Sequence, residues 1–335
     1  MSCRAVFNLG VCALLLVANA ARAADGAESI AEQVRFVFEK CRDAVVKIEA
    51  EDEHGALAGT GFFIDPNGTL YTSYTIGGET HDIVVVVGDR KIHAERLVGD
   101  SRSGIAILKI DKQMPFVMLG KSTELGVASP VMTLGYPMDL PLTPAFGLIG
   151  GFDVKYLGRF FSTAHIRANV PVQRGEGGAP LLNLRGEVVG VLISSLENSS
   201  GCFALPIEAV EKVHKDFLRF GEVRPGWIGV TVADAAKAGA QVESLADDAP
   251  AAKAGLKKGD VLVQVGATKI KSTEDVLNAS FYLTAGDQVP VTVLRASETL
   301  TLKVESAPHP LLKRETEQVL ARQPLGSGAL IKSEK

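Results

Sequence analysis

The chain has 335 residues, room for two or three domains at about 100–200 residues each. Hydrophobic residues make up 46% and charged residues 22%, with 35 Lys and Arg against 39 Asp and Glu for a net charge of −4. That balance excludes a chain disordered throughout and a chain-wide nucleic-acid footprint.

Residues 1–23 read as an export signal: Arg4 gives a positive start, Val6 to Ala18 run largely apolar, and Ala21-Arg22-Ala23 has the small-x-small pattern of a cleavage site. The apolar run falls well short of the roughly 20 residues a spanning helix needs, so the mature chain is expected to begin at Ala24. Cys3 and Cys12 leave with the signal, and Cys41 and Cys202 enter an oxidising compartment. Two separately buried thiols are expected there rather than a disulfide, since sequence separation says nothing of distance.

From Gly26 to Cys41 the apolar residues Ile30, Val34, Val37, Phe38 and Cys41 recur at three and four, predicting an amphipathic helix. Strand-and-turn patterning follows as far as Pro206, with strands predicted at Val45–Ile48, Phe62–Ile64, Ile83–Val87 and Ile105–Ile110. Phe62 to Tyr71 and Leu181 to Val189 are similar strand-turn-strand units, an internal repeat that fits either two β-barrels or two unrelated hairpins. Beyond Pro206 the residues Ile207, Val210, Val213, Phe217 and Leu218 keep helical spacing to about Phe220, and a Gly/Pro-punctuated linker follows. A third unit has strands around Ile228–Val232, Val261–Val265 and Val289–Leu294 and a helix from Thr273 to Leu283. The division expected is therefore signal 1–23, first domain 24–206, helix and linker 207–225, second domain 226–306, and a polar tail 307–335 with a helical turn near Leu312–Leu320.

Four strings stand in order in the first domain: Gly59-Thr60-Gly61-Phe62-Phe63-Ile64-Asp65, Val98-Gly99-Asp100 before Ile105-Ala106-Ile107-Leu108-Lys109, Gly175-Glu176-Gly177-Gly178-Ala179-Pro180, and Phe203-Ala204-Leu205-Pro206. Together they resemble the trypsin-like protease domain of the HtrA (Deg) family. Gly226-Trp227-Ile228-Gly229-Val230, Ala249-Pro250-Ala251-Ala252-Lys253-Ala254-Gly255-Leu256 and Gly259-Asp260-Val261-Leu262 resemble the PDZ domain that follows it in that family. The resemblance implies a mainly β fold, a trypsin-like double β-barrel followed by a small α+β PDZ domain.

It also implies a Ser-His-Asp triad, in which an imidazole takes the hydroxyl proton and a carboxylate holds the imidazole. Here the histidine position matches Thr75, the aspartate position Gly104 and the serine position Gly177. Threonine is no base near neutral pH and glycine has no nucleophile. Loss of the serine or histidine alone costs about 10⁶-fold in a serine protease, so no catalytic residue is assigned and a pseudoprotease is expected. The alternative is a serine-type endopeptidase with a displaced site, for which Ser73, His81, Asp82, Asp100, Ser101 and Ser103 are near in sequence. His81 reads as a surface histidine on a loop or short helix, while Ser194, Ser195, Ser199 and Ser200 lie beyond the hairpin after Gly177, and Ser162 and Thr163 precede an intervening strand.

The backbone of Gly175, Glu176 and Gly177 is a remnant of the family's oxyanion loop and can still point N–H groups at an anion. Glu176 either folds its carboxylate into that nest or faces water. Gly59-Thr60-Gly61 lacks the third glycine of a dinucleotide fingerprint, and the six histidines show no paired metal spacing. No metal site and no cofactor are expected.

In the PDZ family a loop of x-Φ-Gly-Φ form holds a peptide's C-terminal carboxylate while the peptide adds a strand to the sheet edge. Trp227-Ile228-Gly229-Val230 matches that signature, and Val276 on the following helix would line the pocket for the last side chain. The plainer reading makes Ile228, Val230 and Val276 core residues of a domain that binds nothing. The resemblance implies an exported, periplasmic protein that binds unfolded proteins or C-terminal peptides in a chaperone-like or regulatory role. It also implies association with active relatives or as a homotrimer, while the charge balance already argues against a nucleic-acid partner.

Overall fold

A computed structural model describes residues 29–196, 200–235 and 239–310. The signal at 1–23, the turn near 312–320 and Ser199 lie outside the described residues. The chain divides into two compact units between Lys215 and Asp216.

The first unit opens with α1 (29–41), and Val37 and Cys41 on its apolar face are buried. Seven strands then form an antiparallel sheet: β1 (Val45–Asp52), β2 (Gly55–Phe63), β3 (Thr69–Ser73), β4 (His81–Val87), β5 (Arg90–His93), β6 (Glu95–Asp100) and β7 (Ile105–Lys109). Their order is β5-β4-β1-β2-β3-β7-β6. Ile48, Phe63, Leu70, Val85 and Leu108 point inward from alternate positions and build its core. The one-turn helix α2 (Tyr74–Gly77) follows β3 directly.

The second sheet contains β8 (Met118–Leu119), β9 (Pro130–Gly135), β10 (Thr143–Tyr156), β11 (Arg159–Ala168), β12 (Pro180–Leu182), β13 (Glu187–Ser195) and β14 (Cys202–Pro206). Its order is β12-β9-β10-β11-β14-β13-β8, and β12 also pairs with β13, which closes six of the strands into a ring. Val131, Ile149, Ile166, Leu181, Val189 and Leu192 fill its interior. Both members of the internal repeat are antiparallel hairpins, β2–β3 in one sheet and β12–β13 in the other. Cys41 and Cys202 are free and buried, as expected; burial pushes the Cys41 thiol up and the Cys202 thiol up to about 12.

α3 (Ile207–Phe220) keeps the predicted bounds, and the boundary between the units falls inside it. It ends at Gly221, whose φ of 74° is a left-handed stop and whose N–H donates to the Phe217 carbonyl.

The second unit is a sheet in the order β16-β17-β18-β20-β21, formed by β16 (Val230–Asp234), β17 (Ala240–Leu245), β18 (Val261–Val265), β20 (Gln288–Arg295) and β21 (Glu298–Glu305). β19 (Thr268–Lys269) pairs with β18, and β15 (Gly226–Trp227) pairs with β22 (Ala307–Pro308). The helices are α4 (Pro250–Lys253) and α5 (Thr273–Phe281). Ser272 and Asp275 form a capping box that starts α5 at the predicted residue, and α5 ends two residues earlier than the periodicity suggested. The strand expected from Ile228 starts instead at Val230, because Gly229 at φ 79° breaks the extended run. The expected tail is ordered at its start, where Ala307 and Pro308 pair with the beginning of the unit.

Candidate functional site

Two of the three positions matched to the triad, Thr75 and Gly177, line one open cleft of the first unit. Tyr74, Thr75 and Ile76 line one side, and residues 173–177 and 192–195 line the other. Thr75 is exposed on α2, and its Oγ1 lies 2.9 Å from the Oγ of buried Ser73. A Cβ at Gly177 would stand 3.3 Å from that same Ser73 Oγ. Gly104, at φ 79°, accepts a 2.7 Å hydrogen bond on its carbonyl from the Tyr74 N–H. Chain neighbours and hydrogen bonds therefore bring Thr75, Gly104 and Gly177 to one place. Among the described residues, no imidazole or carboxylate hydrogen-bonds to Ser73 or Thr75.

Of the displaced-site candidates, His81, Ser194 and Ser195 line the same cleft as Thr75 and Gly177. Asp100, Ser101 and Ser103 lie at the end of β6 and on the turn into Gly104. His81 is not on a loop or short helix: it is the first residue of β4, because the one-turn helix stops at Gly77. Ser194 and Ser195 stand on the cleft wall, since β13 runs back past the Gly-rich loop, a closeness that sequence separation had hidden.

The loop from Gln173 to Gly178 is held by Thr60, which no sequence pattern marks out. Thr60 is fully buried on β2; its N–H donates to the Gly177 carbonyl at 2.9 Å and its Oγ1 to the Gly175 carbonyl at 2.7 Å. The same Oγ1 accepts from the Tyr136 N–H at 3.1 Å, and Thr72 Oγ1 donates to the Thr60 carbonyl. Gly175 and Gly178 adopt φ of 95° and 88°, conformations that favour glycine. The Gly178 N–H donates to Leu192 and the Ala179 N–H to Glu176, whereas the N–H groups of Gly175 and Gly177 have no acceptor among the described residues. The loop thus offers two unsatisfied donors beside the cleft.

Glu176 neither folds its carboxylate into the nest nor faces water. Its side chain turns inward, only 3% exposed, and Oε2 accepts the Gln173 N–H at 2.6 Å. Burial pushes its carboxyl above the usual carboxylate range, and the Gln173 N–H offsets part of that rise.

In the second unit, Trp227 lies on β15, Ile228 is core, and the Gly229 carbonyl accepts from the Ala246 N–H. Any side chain at Gly229 would meet Ala249 and the Trp227 ring. The N–H groups of Ile228 and Gly229 have no acceptor among the described residues. Val230 opens β16, the edge strand of its sheet, and α5 packs beside that edge with Val276 partly buried against the core. At the far end, Thr273 donates to Asp234 Oδ1 at 3.0 Å from its hydroxyl, tying α5 to β16. A free sheet edge, a helix alongside and two unsatisfied donors at one end are the features that strand addition by a chain with a terminal anion requires.

Comparison with known proteins agrees with this architecture. The trypsin-like peptidase domain family matches residues 59–191, and the PDZ domain family matches residues 226–305. A probable periplasmic serine endoprotease DegP-like of Pseudomonas fluorescens is 31% identical over 297 residues, which cover 83% of this chain and 62% of that protein. A protein of the same description from Ectopseudomonas mendocina is 31% identical over 263 residues, covering 73% and 55%. This chain spans little more than half the length of these relatives. Among solved structures, an HtrA-type protease AlgW with tripeptide superposes with a TM-score of 0.69 at 23% identity, covering 83% of this chain and 97% of the other. A serine endoprotease from Yersinia pestis gives 0.60 at 22% identity, covering 82% and 98%. At these identities the likeness is one of fold.

Proposed function

The chain belongs to the HtrA/DegP family, a trypsin-like domain followed by a PDZ domain, and from that premise we propose that it is an exported, periplasmic binding protein that captures peptides without cutting them. One observation carries the proposal. At the positions matched to the family's base, orienting acid and nucleophile stand Thr75 and Gly177, which line the cleft, and Gly104, whose carbonyl accepts from the Tyr74 N–H; among the described residues Ser73 and Thr75 have only each other's hydroxyls as side-chain partners. A serine hydroxyl without a base is a poor nucleophile near neutral pH. The binding elements, by contrast, are intact. The unsatisfied N–H groups of Gly175 and Gly177 suit a carbonyl oxygen or carboxylate, and those of Ile228 and Gly229 suit a peptide C-terminus. Clients on this reading are unfolded proteins or C-terminal peptides, with a chaperone-like or regulatory outcome.

A second reading rests on the place of Ser73, whose Oγ lies 3.3 Å from where a residue-177 Cβ would stand. That is close enough for Ser73 to act as a displaced nucleophile in an endopeptidase, the activity named for the relatives. The two readings separate in one experiment, incubation of the purified protein with an unfolded, dye-quenched protein substrate followed over many hours and through successive purification steps. Binding without cleavage predicts co-elution and a flat fluorescence trace. Fluorescence release that scales with purity and disappears in Ser73→Ala would overturn the non-cutting reading.

A further inference from the structure

β1 and β4 are neighbouring antiparallel strands, and a shift of register between Glu49 and Glu51 sets Glu51 opposite His81. Successive residues of a regular strand point to opposite faces. Asp82 departs from that rule with a φ of 50°, and its carboxylate joins the imidazole of His81 instead of opposing it. The ligand atoms of Glu51, His81 and Asp82 consequently all lie within 4.8 Å of one another. All three side chains are exposed, and none has a hydrogen bond or ion pair to another described residue. Two carboxylates held so close repel by about 1 kcal/mol even in water, and among the described residues no lysine or arginine pairs with them.

We propose that Glu51, His81 and Asp82 form a binding site for a divalent first-row transition ion of the zinc type. An imidazole with two carboxylates is a donor set suited to zinc, whereas magnesium and calcium prefer all-oxygen shells. Three protein ligands leave a coordination position for water or another outside donor. His81 also lines the cleft that holds Thr75 and Gly177, so the ion sits at the rim of that cleft. Histidine spacing along the chain gives no sign of the site, because its one imidazole works with a carboxylate from the adjacent strand and one from the next residue.

The test is calorimetric titration of the purified protein with zinc chloride near neutral pH, alongside magnesium and calcium, with visible spectra of the cobalt-loaded protein and thermal melts with and without zinc. One zinc per chain at micromolar affinity is expected, with a raised melting temperature because the ion binds only the folded state. His81→Ala and Glu51→Gln should each weaken binding at least tenfold and remove the cobalt bands, while His93→Ala, an exposed histidine on β5, should leave both unchanged. These side chains are exposed, and circular dichroism would verify that each variant is folded. No binding at about 1 mM zinc, equal binding of calcium, or zinc affinity unaltered in His81→Ala would overturn the assignment.

Discussion

Glu176 shows how burial acts on a single side chain. From sequence a carboxyl on this Gly-rich loop fits either the backbone nest or water, yet it lies inside and accepts from the Gln173 N–H. Its raised pKa means that the unfolded chain ionises first as pH climbs, so the folded state loses stability from about the ordinary carboxylate range upward and regains it on acidification. Glu176→Gln keeps the acceptor for the Gln173 N–H without the charge. Urea melts at pH 4 and pH 7.5 should show the glutamine variant gaining on wild type at the higher pH; a difference independent of pH would show that the carboxylate is not penalised by burial. Thr60 taught the opposite lesson, because a threonine between two glycines looks like plain strand, and only the fold reveals that its hydroxyl grips a loop 115 residues away. Positions 75, 104 and 177 were nameable from the order of surrounding strings, but their convergence through Ser73 and Tyr74 was not, since it depends on backbone contacts that leave no pattern in the chain.

Among elements, α3, β18 and the start of α5 were legible and stand at the residues expected from the sequence. Short pieces were not, because two-residue strands such as β15 and β22 carry no period to read. The turn between β15 and β16 holds the clearest test of the peptide slot. Gly229 adopts a left-handed φ of 79° with Ala249 and the Trp227 ring against it, so Gly229→Ala strains the backbone as well as the contact and should destabilise the second unit by about 1–3 kcal/mol. Fluorescence polarisation with a labelled peptide should show at least a tenfold loss of affinity in the variant, and wild type should discriminate a free C-terminus from its amide. Equal binding of both peptides would remove the loop from the carboxylate site.

For the whole molecule, the sequence division placed a helix and linker between two domains, and the fold assigns the last turn of that helix to the second unit. Asp216 is buried, with Oδ1 accepting from Thr284 Oγ1 at 2.8 Å and Oδ2 from the Arg224 N–H at 3.1 Å. Arg219 pairs with Asp287 through two 2.9 Å hydrogen bonds. A fragment starting at Gly226, as the family match alone would suggest, leaves buried Thr284 without its acceptor. Chemical denaturation should find residues 226–310 less stable than residues 216–310 by about 1–3 kcal/mol, the cost of an unsatisfied buried polar group. Equal stability would mean that the helix end contributes nothing to the second unit. This boundary was illegible because α3 is amphipathic along its whole length, and periodicity does not say which body a given turn packs against.

The three-residue strand β12 closes the second barrel by pairing with β9 on one side and β13 on the other, and the Gly-rich cleft loop runs straight into it. A ring fails wherever it is cut, so exposing the amides of Leu181 and Leu182 to solvent would release the cleft wall and the barrel in a single opening event. Deuterium uptake at those two amides would then keep pace with uptake at the loop that follows Gln173, and the cleft would hold its shape for as long as the barrel stays shut.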